Sequence, residues 1–187
     1  LSAELLNPQL ALFESAGTND YSYMVNPLSS INAEHLGYFA FLGRVLAKCI
    51  CDGVTVSAHF TPDVYSCLLQ VPVKFADLQL IDSEVYRSLE WMLENDVDDL
   101  GMAFVVDVDN FGEIIQEELK ADGKSCKVTN ANKEEFVNLK ARHIMVSRRK
   151  DQLDAIKHGF NSVLPLKEIA AFDTSELELL LCGVPRL

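Results

Sequence analysis

Residues 31–53, INAEHLGYFAFLGRVLAKCICDG, leave the chain few ways to fold. Leu36, Phe39, Leu42, Val45, Leu46, Cys49 and Ile50 recur at three- and four-residue spacing, the period of a helix face. Ala40, Phe41 and Ala47 extend the apolar surface round most of the circumference, leaving a thin polar stripe through Arg44, Lys48 and Asp52. A helix apolar on nearly all sides is buried in a helical domain or crosses a membrane. Arg44 and Lys48 in its interior argue against the membrane. Asn32 is placed to cap the first turn, and Gly53 to supply the residue past the end. Gly37 and Gly43 each cost about 1 kcal/mol against alanine, so close packing is expected at both. The stretch predicts the central helix of an all-helical lobe.

The rest of the composition narrows the class. A chain of 187 residues is long enough for one domain, or for one domain with a small appendage. With 49% hydrophobic and 24% charged residues it sits at globular averages, which excludes wholesale disorder. A net charge of −12 repels nucleic acid and anionic membrane surfaces and suits a basic protein partner. No apolar run approaches a membrane span, and Leu1 onward lacks a basic-then-apolar signal pattern. Five cysteines without framework spacing point to the reducing cytosol or nucleus.

Before the central helix, residues 1–31 combine a short apolar helix-like start, a polar loop, ESAGTND, and a strand-like run, YSYMV. Asn26-Pro27 ends that run, because a residue before proline avoids the helical region. After the helix, VTVSAHF leads to Thr61-Pro62-Asp63, where the cap, proline and first-turn acid mark a new helix. Val64, Leu68, Tyr65 and Leu69 give it a short buried face, stopped before Pro72. Asp82 caps the next helix, from about Ser83 to Asn95. On it Val85, Leu89 and Met92 form one stripe, Tyr86 and Leu93 a second, and Trp91 lies away from both. That is more apolar surface than one packing face needs, and it reads as a helix sandwiched between two layers.

From Gly101 the period becomes strand-like, in MAFVV, EIIQEEL and SCKV, separated by DNFG and by residues 121–124. Asp122-Gly123 is a hairpin-turn signal. Three short strands among helices suggest a small α/β subdomain inserted in the helical lobe. Asn132 with Glu135 three residues later reads as a capping pair. The helix that follows runs from Lys133 to about Lys150, bends near Ser147 and ends at Gly159. Pro165 and Asp173 begin two last short helices, the second being SELELLLC closed by Gly183. The fold class is therefore α+β, mainly helical.

Several candidate chemistries can be weighed. Residues 107–118, DVDNFGEIIQEE, fit most of a calcium-binding EF-hand loop, with acids at positions one and three and Glu118 at twelve. Phe111 stands where an oxygen ligand is required, and the flank MAFVV is strand-like where a helix is needed, so no metal site is expected. Cys126, between Lys124 and Lys127, has cationic neighbours that favour a thiolate. Strand neighbours point to opposite faces, however, and no oriented histidine can be placed beside it. Cys49 and Cys51 diverge on a helix and do not form a zinc pair. Cys67 and Cys182 lie on apolar faces and read as core. The histidines His35, His59, His143 and His158 are scattered, and Glu94, Asp96, Asp98 and Asp99 read as a solvated acidic edge. No cofactor is expected.

HLGYFAFLGRVLAK, preceded by VNPLSSIN and followed by CDG, resembles the large N-terminal lobe of HECT-type ubiquitin ligases. SLEWMLEND, FGEIIQEELKADGKSCKVTNANKEEFVNL and FDTSELELLLCG follow in the family's order. The resemblance implies a large helical N-lobe in two parts, residues 1–84 and 145–187. Between them it places a small subdomain, 85–144, that binds the ubiquitin-conjugating enzyme. Both ends then read as cut from a longer domain: LSAELLNPQLALF resembles an internal segment, and CGVPRL falls where the connection to a second lobe begins. The family's acceptor thiol lies in that second lobe in a His-Thr-Cys-Phe run, which these 187 residues do not contain. No catalytic residue is therefore assigned here.

The resemblance maps the conjugating-enzyme groove to Val85, Ser88, Leu89, Met92 and Asn95 on one helix. Leu100 and Met102 follow on the strand, and Phe136 and Lys140 on the long helix. Lys140 and Asn95 stand where relatives can carry aromatic or aliphatic side chains, which makes the rim more polar. A ubiquitin-holding surface maps to Tyr21 and Phe111. The implied partners are a conjugating enzyme, ubiquitin, and substrates engaged through regions outside this chain, in the cytoplasm or nucleus. The reading from a different class is a non-catalytic acidic interaction module with an apolar groove.

Overall fold

The computed structural model describes residues 2–16 and 22–183. In chain order they form α1 (Ser2–Leu5), β1 (Phe13–Ser15), β2 (Ser22–Val25), α2 (His35–Asp52), β3 (His59–Phe60) and α3 (Pro62–Leu69). There follow α4 (Leu78–Ile81), α5 (Ser83–Glu94), β4 (Val105–Asn110), β5 (Glu113–Glu118), α6 (Lys133–Met145), α7 (Lys150–Asn161) and α8 (Thr174–Cys182). The result is the mainly helical α+β class expected from the sequence. Two units divide the chain: Leu1–Val73 with Arg149–Leu187, and Lys74–Arg148. The sequence placed these divisions near 84 and 144. The two units here hold α4 and the 3-10 turn Phe75–Asp77 in the second, where Phe75 stacks on Tyr86 at 4.9 Å.

In the first unit α2 is the central helix. Phe39, Leu46 and Ala47 are fully buried, together with Ile156 and Phe160 of α7 and Leu177 and Leu181 of α8. Gly53, at φ 66°, closes α2 as expected, its N–H donating to the carbonyls of Cys49 and Ile50. The start differs from expectation. The helix begins at His35, and the Asn32 side chain instead accepts from Glu34 N at 3.1 Å, closing a turn ahead of it. Gly43 is where close packing occurs, because a Cβ there would strike the backbone of Ile156 and Phe160. Gly37 has nothing within 4 Å. Gly159 does not end α7. It lies inside that helix, against the backbone of Ala40, so each helix offers a glycine to the other.

A three-stranded sheet in the order β1-β2-β3 flanks this pair, antiparallel between β1 and β2 and parallel between β2 and β3. The strand β1 falls at the start of what read as a polar loop. Arg149 is buried beside the sheet, its Nε donating to the Val25 carbonyl at 2.6 Å. Gln152 donates to Ser29 Oγ at 3.0 Å, so buried polar groups are satisfied here from α7. Asp63 is different: it is buried in the first turn of α3, and among the described residues neither carboxyl oxygen has a hydrogen-bond partner. Burial pushes its carboxyl up from the ordinary value, against the pull of the Arg149 guanidinium.

The second unit packs α4, α5 and α6 with the β4–β5 hairpin. Its core holds Leu78, Leu89, Val97, Phe104, Val128, Phe136, Val137 and Met145. Along β4 the sides alternate, Val106 and Val108 inward, Asp107 and Asp109 outward. The hairpin turn is not at Asp122-Gly123, where the chain makes a 3-10 turn, Gly123–Ser125. It lies at Phe111-Gly112, with φ 55° and 89°, because Asn110 pairs with Glu113 and leaves a two-residue loop. The third expected strand, SCKV, is reduced to one bridge between Ala103 and Lys127. The long helix breaks into α6 and α7 around a 3-10 turn, Ser147–Arg149, near the expected bend.

Candidate partner-docking surface

Asp82 starts α5 as its sequence suggests, one carboxyl oxygen accepting from Glu84 N at 3.1 Å and Val85 N at 2.9 Å. The helix turns Leu89 and Met92 into the core and leaves Val85 half-buried. It is not sandwiched between two layers: Trp91 is 49% exposed, and Tyr86 and Leu93 are half-buried. Lys133, at the start of α6, donates to the carbonyl of Asn95 at 2.6 Å. At the other end Asp82 acts on the Lys140 ammonium, so α5 and α6 lie antiparallel with their stripes facing.

Phe136 is 0% exposed and meets Phe104 edge-on, with ring centroids 5.5 Å apart. Leu89 is 1% exposed. These two residues and Met92, mapped from the sequence as groove residues, are therefore buried and leave almost no side-chain surface exposed. The Asn132–Glu135 capping pair does not form. Asn132 Oδ1 instead accepts from Thr129 N at 2.7 Å, and Glu135 takes the Lys120 ammonium at 2.9 Å.

What remains accessible lies around the segment between α5 and β4. Leu100 ends a 3-10 turn, Asp98–Leu100, and is 47% exposed. Asn130 holds that segment: its N–H donates to Asp98 Oδ1 at 2.8 Å, its amide to Asp96 Oδ1 at 2.7 Å, and its side-chain oxygen accepts from Val97 N at 3.2 Å. The Asp98 N–H and the Asn130 amide hold the Asp96 carboxyl below the usual carboxylate range. Two members of the presumed solvated edge thus organise a loop, and Asn130 is a residue that sequence reasoning missed. Its only signal is a position in a polar TNAN run, which carries no period. Met102 is half-buried, its carbonyl accepting from Val128 N at 2.9 Å. Ser88 is exposed, with its hydroxyl turned onto the Glu84 carbonyl at 3.0 Å. Asn95 is half-buried and donates to Trp91 O at 2.8 Å.

The model of the HECT-domain (ubiquitin-transferase) family matches residues 1–187. The chain belongs to the HECT-domain family. E3 ubiquitin-protein ligase NEDD4 of Homo sapiens is 40% identical over 185 residues, which is 98% of this chain and 14% of that protein. E3 ubiquitin-protein ligase Nedd-4 of Drosophila melanogaster is 39% identical over 188 residues, 100% of this chain and 19% of that protein. E3 ubiquitin-protein ligase RSP5 of Saccharomyces cerevisiae is 39% identical over 188 residues, 100% of this chain and 23% of that protein. The chain thus spans less than a quarter of the length of these relatives.

Within this HECT chain the other sequence candidates fall as follows. Tyr21 lies outside the described residues. Phe111 is 57% exposed at the hairpin tip, at a positive φ that is uncommon for any residue with a side chain. Next to it in the hairpin Ile114 is 65% exposed. The EF-hand-like stretch is this hairpin, and the Asp109 carboxylate closes its turn by accepting from Gly112 N at 2.7 Å. Among the described residues no three acids, cysteines or histidines gather as a metal site. Nor is any helix long and apolar enough to cross a membrane.

The five thiols are free. Burial pushes Cys67 up to about 11, and its thiol donates to the Leu153 carbonyl at 3.4 Å. Burial also takes Cys182 to about 11, where it shares a hydrogen bond with the Tyr65 hydroxyl at 3.3 Å. Both are placed as core thiols rather than nucleophiles.

Proposed function

We propose that this chain is the N-terminal lobe of a HECT-type ubiquitin-protein ligase, whose second unit recruits a ubiquitin-loaded conjugating enzyme. The enzyme docks on Leu100, Met102, Val85, Ser88, Asn95 and Lys140, over the floor of Leu89, Met92 and Phe136. Ubiquitin passes as a thioester to a cysteine elsewhere in the parent protein and then to a substrate lysine. Substrates are engaged by regions outside this chain, in the reducing cytoplasm or nucleus that five free cysteines suit.

The observation that carries this reading is the exposed Leu100 on a loop fixed by three hydrogen bonds to Asn130. An apolar side chain held out to solvent on a pre-organised loop loses little entropy on docking. Only a few side chains are accessible, so affinity should be about micromolar, near −8 kcal/mol. A second contact, to ubiquitin, is proposed at Phe111, since an exposed aromatic at positive φ is a feature that packing within the unit does not require.

The test is a titration of a panel of conjugating enzymes against the parent chain, Leu100→Ala, and Glu168→Ala as a distant control. Leu100→Ala should weaken binding about tenfold, with Glu168→Ala unchanged. If no member of a broad panel binds, the acidic interaction module becomes the better reading. Incubated with activating enzyme, conjugating enzyme, ubiquitin and ATP, these 187 residues should form no reducible ubiquitin adduct. An adduct lost on Cys126→Ser would overturn the placement of the thioester elsewhere.

A further inference from the structure

Lys140 is placed unlike the other half-buried lysines of its unit, Lys120 and Lys133. Lys133 ends on the Asn95 carbonyl and Lys120 on the Glu135 carboxylate. Among the described residues Lys140 has neither a hydrogen-bond nor an ion-pair partner. Its stem is half-buried on α6, one turn past Phe136, and its ammonium stands 5.8 Å from the centroid of that ring. The two acids that act on it are already engaged. Asp82 caps α5, and Asp107 accepts from Gln116 Nε2 at 3.2 Å. Burial holds the ammonium below the ordinary lysine range, while Asp107 and Asp82 pull it back.

We infer that Lys140 selects among conjugating enzymes, accepting those whose contacting loop sets a carboxylate against its ammonium. The inference rests on the recruitment reading above and says which partners satisfy it. A partner that covers Lys140 removes the water now solvating it, and a desolvated ammonium without an acceptor is costly. An aspartate or glutamate supplies a charge-assisted hydrogen bond and offsets that cost. An all-apolar or basic loop leaves the charge stranded or repelled, so the same residue acts against wrong partners. Asp107 and Asp82, the acids that act on Lys140, favour basic groups around it. The fitting partner therefore carries a basic rim with one carboxylate inside it.

The experiment uses the whole chain and purified conjugating enzymes, sorted by whether the docking loop carries Asp or Glu. Dissociation constants are measured for the parent, Lys140→Met, Lys140→Glu and Leu100→Ala, with circular dichroism confirming that each is folded. Methionine keeps the apolar stem and removes the charge. Lys140→Met should weaken carboxylate-bearing partners about tenfold and leave apolar-loop partners equal or tighter. Lys140→Glu should be rescued by reversing the partner's carboxylate to lysine. If Leu100→Ala weakens binding while Lys140→Met changes every partner alike or none, the inference fails and the recruitment reading stands. If Leu100→Ala also leaves every constant unchanged, both fail.

Discussion

Gly159→Ala should be among the most damaging single-methyl changes in the first unit. A Cβ there would stand 2.7 Å from the Ala40 carbonyl carbon and 2.9 Å from its Cα, with the carbonyl oxygen nearer still. Ordinary contact begins at 3.4 Å, so relieving the clash with the carbonyl oxygen requires α2 and α7 to separate by more than an ångström. The obstacle is backbone and cannot rotate away. Overpacking of this kind costs about 1–3 kcal/mol. Opening the seam also weakens the contacts of Phe39, Ile156 and Phe160, since a gap of 0.5–1 Å forfeits about a quarter to a half of each contact's well depth. Alanine's helix preference returns about 1 kcal/mol. With the loosened contacts offsetting that return, the net loss should be about 1–3 kcal/mol. Gly37→Ala, in the same α2 with nothing within 4 Å, should instead be neutral or stabilising by up to about 1 kcal/mol. Urea unfolding followed by far-ultraviolet circular dichroism measures both. The single tryptophan, Trp91, reports by fluorescence on the second unit and serves as an internal control. Equal shifts of the same sign for the two variants would refute the close-crossing argument.

Phe136→Ala should cost about 3–5 kcal/mol through the cavity it opens beside Phe104. It would show as an earlier Trp91 fluorescence transition; a stable variant with selectively lost partner binding would mean the ring is accessible after all. Asp63→Asn should be more stable than the parent at neutral pH. Burial raises the folded-state pKa of Asp63, so its contribution is fully present below the unfolded value of 3.8 and is lost as pH rises through the folded one. The urea midpoints of the two proteins should converge in acid, and an asparagine variant weaker at every pH would show that the carboxylate is needed by Arg149. Burial, with Arg148, holds the His143 imidazole below 6.5, against the pull of Glu117 3.2 Å away. Its contribution is complete above 6.5 and is lost as pH falls below that value, so His143→Gln should flatten the fall in stability on that side. An unchanged slope would remove His143 as its cause.

The elements that could be read from the sequence are those whose signal is local. The apolar circumference of α2, the Asp82 and Asp173 caps and the αL glycine at 53 each state their own geometry. The strand β1 could not be read, because three residues leave no room for a period. The hairpin turn was misplaced for a physical reason. Asp122-Gly123 has favoured turn residues but only Asp122 takes positive φ, while Phe111 accepts an αL conformation that its side chain disfavours. At the docking surface the stripe Val85, Leu89, Met92 was legible, but its depth was not. Periodicity says that a face meets something, and here α6 of the same chain meets it. Asn130 was invisible because its role depends on three partners more than thirty residues earlier.

That difference in depth bears on what kind of partner the surface suits. A deep open groove would let Phe136 and Leu89 grip an inserted side chain and would favour a long-lived complex. With both closed off, the proposed attachment would rest on Leu100 and its half-buried neighbours, with little apolar area left to bury. Rigid presentation recovers some affinity by removing the entropy of ordering the loop, and the acidic segment raises the encounter rate of a basic partner. Neither slows departure. Discrimination must then come from something other than buried area. In the proposed selection by Lys140 a half-buried ammonium would supply it, because its penalty would fall only on partners that fail to neutralise it. The proposed partner, a carrier that must arrive loaded, be recognised and leave once discharged, would need that combination of fast encounter, weak hold and a single charged check.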